Sequence, residues 1–316
     1  MEMRLQSPVP VTIAEGQVLA VVCGPEPVAQ NIRKAGLAER VEVTPALATL
    51  SASASTAGLR AVAGAVPVTS EFPGTHLVVE TPPLPNVGAV MSRPGDPGGL
   101  LVVGKFRWPG SGPGRPSREG CWVQARQALY VEPGGHAWVV TKCGFSLAWI
   151  TLSDKGYVGG REDQAGPLIA QLVDNNRGGP LLVAHAQGFL LPDDPKRLRA
   201  LLTELALEQG YDLLVTTGGT GVAPRDTTPE TTLAVIEKRL PGMEAAMLQT
   251  SLRKTPHAVI SRAVVGILGQ SLIINLPGSP KAVRENLEAL LPALEHTLAK
   301  LHGDSTDCAT PPSFSA

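Results

Sequence analysis

Apolar and polar positions change rhythm near residue 144. Before it, apolar residues come in short runs separated by Gly, Pro and Ser. Gln17–Cys23, Thr75–Glu80, Leu100–Phe106, Cys121–Val131 and His136–Lys142 have the length and composition of strands. Ser51–Gly64 is rich in small residues and reads as a poor helix or a loop. Pro109–Ser117, where Gly and Pro alternate, reads as an exposed loop.

From Gly144 onward, strand and helix patterns alternate. Ser146–Leu152 is a strand ending in Ser153-Asp154-Lys155-Gly156. Gly166–Asp174 is a short helix with Pro167 near its start, and Leu181–Leu191 holds the next strand. Asp194 is placed to cap a helix with Pro195 at its first position. That helix carries the stripe Leu198, Leu201, Leu202, Leu205, and Gly210 stops it. A strand over Leu213–Thr217 follows, then helices from Pro229 to about Lys238 and over Gly242–Arg253. Val264–Leu268 and Ser271–Leu276 form a hairpin or two adjacent strands around Gly269-Gln270. The last helix opens at Ser279-Pro280 and runs to His302, with Pro292 expected to kink or divide it. This pattern predicts an α/β fold, a mostly parallel sheet with helices on both faces, preceded by a small β-rich domain. The expected division is 1–143, 144–303 and a disordered tail over 304–316.

Ligands of such sheets sit beyond the carboxyl ends of the strands. Four polar turns fall there: Ser153-Asp154, Pro192-Asp193, the glycine loop Gly218-Gly219-Thr220-Gly221, and Pro277-Gly278-Ser279. The glycine loop follows a buried strand, and its backbone amides are unobstructed by side chains. Thr228-Pro229-Glu230 reads as a helix start with threonine as N-cap. Arg225-Asp226 stands between loop and helix, so a cation, a carboxylate and anion-binding backbone share one short stretch. A plain turn is the competing reading of the glycines.

Composition narrows the function classes. The chain has 316 residues, 43% hydrophobic and 17% charged, which suits a packed core. A net charge of −1 argues against a nucleic-acid binder. No apolar run is long enough to span a membrane, and the N-terminus lacks the pattern of a signal peptide. Cys23, Cys121, Cys143 and Cys308 show no metal or disulfide spacing, so a cytoplasmic location is expected. The histidines show no ligand spacing either. All four tryptophans, Trp108, Trp122, Trp138 and Trp149, fall within 108–149 and suggest an aromatic core under the β-rich domain or a docking surface.

Residues 144 to 303 resemble the molybdopterin-binding domain family that includes MogA, MoaB and the gephyrin G domain. The resemblance is carried, in family order, by Leu152-Ser153-Asp154, Arg161-Glu162-Asp163 with Gly166-Pro167, and Leu191-Pro192-Asp193. It continues through Thr217-Gly218-Gly219-Thr220-Gly221, Arg225-Asp226-Thr227-Thr228-Pro229-Glu230, Leu240-Pro241-Gly242, Ser261-Arg262 and Asn275-Leu276-Pro277-Gly278-Ser279-Pro280-Lys281. It implies a molybdopterin adenylyltransferase, with ATP and molybdopterin as substrates and pyrophosphate as a product. A non-catalytic MoaB-like scaffold that only holds molybdopterin is the alternative. Asp193 and Asp226 match the family's two activity-bearing carboxylates, and one or both would hold Mg²⁺. Asp226 could instead pair with Arg225, and Asp193 could only cap a helix. Ser153 and Asp154 match the pterin pocket, or form a simple turn. Thr217, Gly218, Gly219, Thr220, Gly221 and Arg225 are expected on phosphate. Pro277, Gly278, Ser279 and Lys281 offer a further helix start for phosphate or pterin. Ser261-Arg262 would reach the substrate or a neighbouring subunit. The resemblance also implies a homotrimer and a downstream molybdenum insertase as partner.

Overall fold

The computed structural model describes residues 2–7, 11–23, 77–79, 84–95, 99–108, 118–132, 134–174 and 182–305. The expectations for Ser51–Gly64, Pro109–Ser117, Cys23's side chain, Cys308 and most of the C-terminal tail lie outside these residues.

Seven strands close into a barrel in the order β1-β4-β3-β7-β6-β5-β9. They are β1 (Glu2–Ser7), β3 (Val18–Cys23), β4 (Leu77–Val79), β5 (Ala89–Ser92), β6 (Leu100–Trp108), β7 (Arg118–Ala125) and β9 (Gly134–Lys142). Leu19, Val21, Leu100, Val102, Cys121 and Val123 recur at every second position and are buried inside, as strand periodicity requires. Cys121–Val131 is not one strand: β7 ends at Ala125, exposed residues follow, and β8 (Leu129–Val131) pairs separately with β2 (Val11–Ile13). Trp138 is fully buried among the barrel side chains, whereas Trp149 belongs to the second sheet, so the tryptophans do not share one core.

The second sheet has six strands in the order β11-β10-β12-β15-β14-β13. These are β10 (Phe145–Leu152), β11 (Val183–Leu191), β12 (Leu213–Thr217), β13 (Lys238–Arg239), β14 (Val265–Leu268) and β15 (Ser271–Leu276). β10–β11, β10–β12 and β12–β15 are parallel, while β14–β15 and β13–β14 are antiparallel. The sheet is therefore mixed, not mostly parallel. The cause is local: the turn Gly269-Gln270, with Gly269 at φ 59°, is too short for anything but a hairpin.

Side chains alternate between two cores. Ala148, Ile150, Leu214 and Ile273 face one side, with Leu198, Leu201 and Leu202 and continuity into the barrel. Leu147, Trp149, Leu213, Val215, Leu272 and Ile274 face the other side. There they meet α2 (Ala165–Asp174), α5 (Pro241–Leu252) and α6 (Pro280–Leu301); α1 is the short helix Asp154–Tyr157. In α3 (Pro195–Thr203) Asp194 is the N-cap, accepting from the Lys196 and Arg197 amides, and Gly210 adopts φ 73° at the end. Between them Glu204–Gln209 winds as a π-helix. The Gln209 side-chain amide both donates to and accepts from the Lys105 backbone of the barrel.

The helix expected from Pro229 to Lys238 is shorter. α4 covers Thr228–Leu233, and Lys238–Arg239 is edge strand β13. Glu237 N and Leu240 N donate to Ile267 O and Val265 O, so the backbone finds its partners in β14. Gly266 permits this approach: a Cβ there would lie 2.7 Å from Lys238 O. α6 runs unbroken through Pro292. Pro292 is on the exposed side, where water can serve the carbonyl that loses its donor, while Val283, Leu287, Leu290, Leu294 and Leu298 form the buried stripe.

The barrel meets the amino-terminal ends of the sheet. Lys142 Nζ lies 2.5 Å from Asp212 Oδ1, and Asp212 Oδ2 accepts from the Ser146 amide and hydroxyl. The carboxyl ends of β10, β11, β12 and β15 lie at the opposite end of the sheet.

Candidate functional site

The residues that follow those carboxyl ends are tied to one another. Ser153 is the N-cap of α1, accepting from the Gly156 amide at 3.0 Å. Asp154 and Asp193 hold each other reciprocally: Asp193 N donates to Asp154 Oδ1 at 3.0 Å, and Asp154 N to Asp193 Oδ2 at 3.3 Å. Asp193 is therefore no mere helix cap, since Asp194 has that role. Arg225 reaches across the rim to Asp154, at 2.8 Å, and to the Asp193 carbonyl at 3.2 Å. The expected competitor, an Arg225–Asp226 pair, does not form. Asp226 instead accepts from the Ala223 amide at 2.9 Å and fixes its own loop. Burial raises the Asp193 carboxyl above its ordinary range, and the negative charges of Asp154 and Asp226 push the same way against Asp154's amide and Arg225. Arg225 stands between the two acids, bonded to the Asp193 carbonyl and followed directly by Asp226.

The glycine loop is held from behind. Gly218 O accepts from the Thr228 hydroxyl, Gly219 O from Thr228 N, Thr220 O from Arg262 N, and Gly221 O from Arg262 Nε. In a trans peptide the C=O and the next N–H point in opposite directions. Four carbonyls anchored inward therefore turn the amides of Gly219, Thr220, Gly221 and Val222 away from those anchors, the arrangement of an anion nest. Gly218 differs: its own N–H is taken by Leu276 O, so it offers no amide to an anion. Its place is steric, with φ 101° and a Cβ that would overlap Leu152 O.

Two expectations change here. Thr228 is not the N-cap; Thr227 occupies that position without a side-chain bond, and Thr228 turns its hydroxyl to the loop. Arg262 turns its guanidinium to the loop and α4. Its guanidinium bonds Gly221 O at 2.7 Å, Asp226 O at 2.6 Å and the Glu230 carboxylate, stapling the loop to α4.

Beside this rim lies a cleft of about 310 Å³, lined by Thr151, Ser153, Asp163, Thr217, Gly278 and Ser279 among others. Ser153 and Thr217 on its wall directly precede Asp154 and Gly218 of the rim in the chain. Thr217 Oγ1 donates to Pro277 O at 2.8 Å, joining two of its walls. Ser279 caps α6 through the Ala282 amide, and Lys281 is exposed in the first turn. Asp163, given no site role by the sequence, also lines the cleft. Its carboxylate accepts from the Thr151 hydroxyl at 2.6 Å and from the Ala165 and Gly166 amides. The sequence signal was available: an acid two residues ahead of a helix. Trp149 Nε1 and Thr151 Oγ1 close over Gly166 so tightly that a Cβ would lie within 2.7 Å of both.

Among the described residues no cluster of three His, Cys, Asp or Glu side chains forms a metal cage. The rim fits a different use. Magnesium commonly takes one or two carboxylates and completes its shell with phosphate oxygens and water, and the mutual repulsion around Asp193 is what a cation relieves. His185 is half-buried on β11 with its Nε2 shielded from solvent, which pushes its pKa down to about 4, and His302 lies 3.1 Å from Asp212, so neither belongs to the rim. No helix among the described residues is long and apolar enough to cross a membrane.

Residues 148–296 match the family described as "probable molybdopterin binding domain". The chain is 40% identical over 144 residues to a molybdopterin adenylyltransferase of Haemophilus influenzae, covering 46% of this chain and 72% of that protein. It is 39% identical over 155 residues to a molybdopterin adenylyltransferase of Helicobacter pylori, covering 49% of this chain and 86% of that protein. It is also 39% identical over 158 residues to gephyrin of Dictyostelium discoideum, covering 48% of this chain and spanning 22% of that protein's length.

Proposed function

The chain belongs to the probable molybdopterin binding domain family, and from that premise we propose that it is a molybdopterin adenylyltransferase. The terminal phosphate oxygen of molybdopterin attacks the α-phosphorus of ATP. The bond from that phosphorus to the bridging oxygen breaks, and pyrophosphate leaves with the electron pair. Joining two polyanions demands charge neutralisation and alignment, not covalent help from the protein.

The residues divide this work. The outward amides of Gly219, Thr220 and Gly221 bind phosphate oxygens, supported by Arg262 behind them. Gly218 and Thr217 set the loop against β15 and the Pro277 turn. The cleft beside Ser153, Asp163 and Ser279 receives the pterin end, with hydrogen-bonding groups on its walls. Asp193 and Asp226 would hold Mg²⁺, which when bound neutralises phosphate charge and polarises the α-phosphate. The observation that carries the reading is a glycine loop whose carbonyls are all anchored away from the rim, with the Asp226 carboxylate against Gly221 and the Asp193 carboxylate tied to the Asp154 amide. A scaffold that only holds molybdopterin has no use for such a carboxylate pair.

The same reading includes a division at 143/144 into an accessory β domain and a transferase domain, a cytoplasmic location, and handover of the product to a molybdenum insertase. A homotrimer through the C-terminal part is supported by Leu248, Leu252, Val259 and Ile260, which stand exposed along α5 and the turn after it. The test is pyrophosphate release from purified protein with ATP, Mg²⁺ and molybdopterin. Release above a control lacking molybdopterin is expected. Binding of molybdopterin without release would favour the scaffold.

A further inference from the structure

We propose that Arg225 is a displaceable lock on the cation position, holding the rim shut until a divalent cation takes its place. The proposal rests on the adenylyltransferase reading of the rim. A single nitrogen, Arg225 Nη2, lies 3.0 Å from Asp154 Oδ1, 2.8 Å from Asp154 Oδ2 and 3.2 Å from the Asp193 carbonyl oxygen. Three oxygens from two turns thus converge on one positive group, and the Asp193 carboxylate is bonded to the amide of the same Asp154. A guanidinium here does for the carboxylates what a cation would do.

The lock joins segments far apart in the chain. Arg225 stands 71 residues from Asp154 and 32 from Asp193 in sequence. It therefore straps the loop Val222–Asp226 across the ends of β10 and β11. The neighbouring Asp226 is fastened the other way, to the Ala223 amide of its own loop. The strap is weakly held, because the side chains of Arg225 and Asp154 are 65% and 41% exposed, and ion pairs in that setting exchange readily with solvent and ions.

A divalent cation entering beside Asp154 and Asp193 repels the guanidinium at short range and offers the same oxygens a higher charge. Arg225 is then free to swing toward incoming phosphate, where a guanidinium is a strong partner. This predicts an order: the cation loosens the loop first, and the nucleotide recruits Arg225 second. A cell metabolite rich in phosphate but lacking cation would meet a closed rim.

The test uses the full chain without nucleotide, with Mn²⁺ followed by electron paramagnetic resonance and Mg²⁺ by amide hydrogen exchange. Arg225→Gln is expected to bind Mn²⁺ roughly tenfold more tightly than the wild type, the scale of one unit charge removed from beside a dication in water. Mg²⁺ is expected to speed exchange over residues 221–227 in the wild type, and to leave the already fast exchange of Arg225→Gln unchanged. Equal or weaker Mn²⁺ binding by the variant overturns the lock, as does wild-type exchange that slows or stays constant with Mg²⁺. Absence of Mn²⁺ binding by both proteins overturns it too, and pyrophosphate release then decides separately whether the transferase reading stands. If Arg225→Gln does not fold, Arg225→Lys replaces it. Its shorter side chain holds the three oxygens less closely, so exchange in the cation-free protein is expected between those of the open and closed loops; exchange as slow as the wild type's overturns the lock.

Discussion

Lys142 at the end of the barrel's last strand places its ammonium 2.5 Å from the carboxylate of Asp212, which is only 7% exposed at the start of β12. Asp212 also accepts from Ser146 and lies 3.1 Å from His302 at the end of α6. One carboxylate therefore fastens barrel, sheet and last helix together at the pole opposite the candidate site. Burial opposes its charge, but the bonds from His302, Lys142 and Ser146 outweigh burial and hold its pKa below the usual value.

Lys142→Ala removes the cationic partner and is expected to destabilise the fold by about 2 kcal/mol, less than for a fully buried pair because Lys142 is half exposed. Urea unfolding measures it. The pH dependence has a definite sign. A carboxylate whose folded pKa is depressed contributes stability above its unfolded pKa and loses it as pH falls through the folded value. In the wild type, stability should therefore fall below about pH 4, and Asp212→Asn should flatten that slope. A chain cut at residue 144 lacks Lys142 and should show the same instability.

Gly218→Ala and Gly242→Ala form a matched pair. Gly218 has φ 101° and no room for a Cβ beside Leu152 O, whereas a Cβ at Gly242, in the first turn of α5, meets nothing within 4 Å. The first is expected to cost roughly 2–4 kcal/mol and to misplace the loop. The second should be neutral or stabilise by up to about 1 kcal/mol. Thermal unfolding of both variants checks the contrast.

Arg262→Ala unfastens Gly221 O, Asp226 O and Glu230 from one guanidinium. Arg262 touches the loop from behind, so it is a positioning residue. The expected result is a fall in kcat of about 10²-fold, on the scale of a small misplacement of reacting groups, with the sheet's unfolding temperature little changed. Arg262→Lys should recover only part of the rate, because one ammonium cannot span three acceptors.

How far the sequence reveals this arrangement depends on the range of the interaction. Local signals read well: the Asp194 cap with Pro195, the stop at Gly210, and the stripe from Val283 to Leu298 all rest on neighbours within a turn or two. Contacts made across the chain do not read. Lys238-Arg239 looks like a helix end because nothing nearby reveals that β14 will pair with it. Arg225 stands beside Asp226 in sequence, yet its partner is Asp154, brought in by the order of the parallel strands. Arg262 looks like an outward cation until the loop's carbonyls are seen to need donors. Asp163 was legible as a helix-start acid, but its place in the cleft follows from Thr151 on a neighbouring strand.

The most direct measurement is transfer of label from α-³²P-ATP to molybdopterin by the wild type and by Asp193→Asn and Asp226→Asn. Substituting either carboxylate removes charge without volume. The expected result is labelled adenylyl-molybdopterin from the wild type, at least about 10²-fold less from each variant, and molybdopterin binding retained by all three. Equal labelling by wild type and variants, or none by the wild type while it binds both substrates, would contradict an adenylyltransferase built on these two carboxylates.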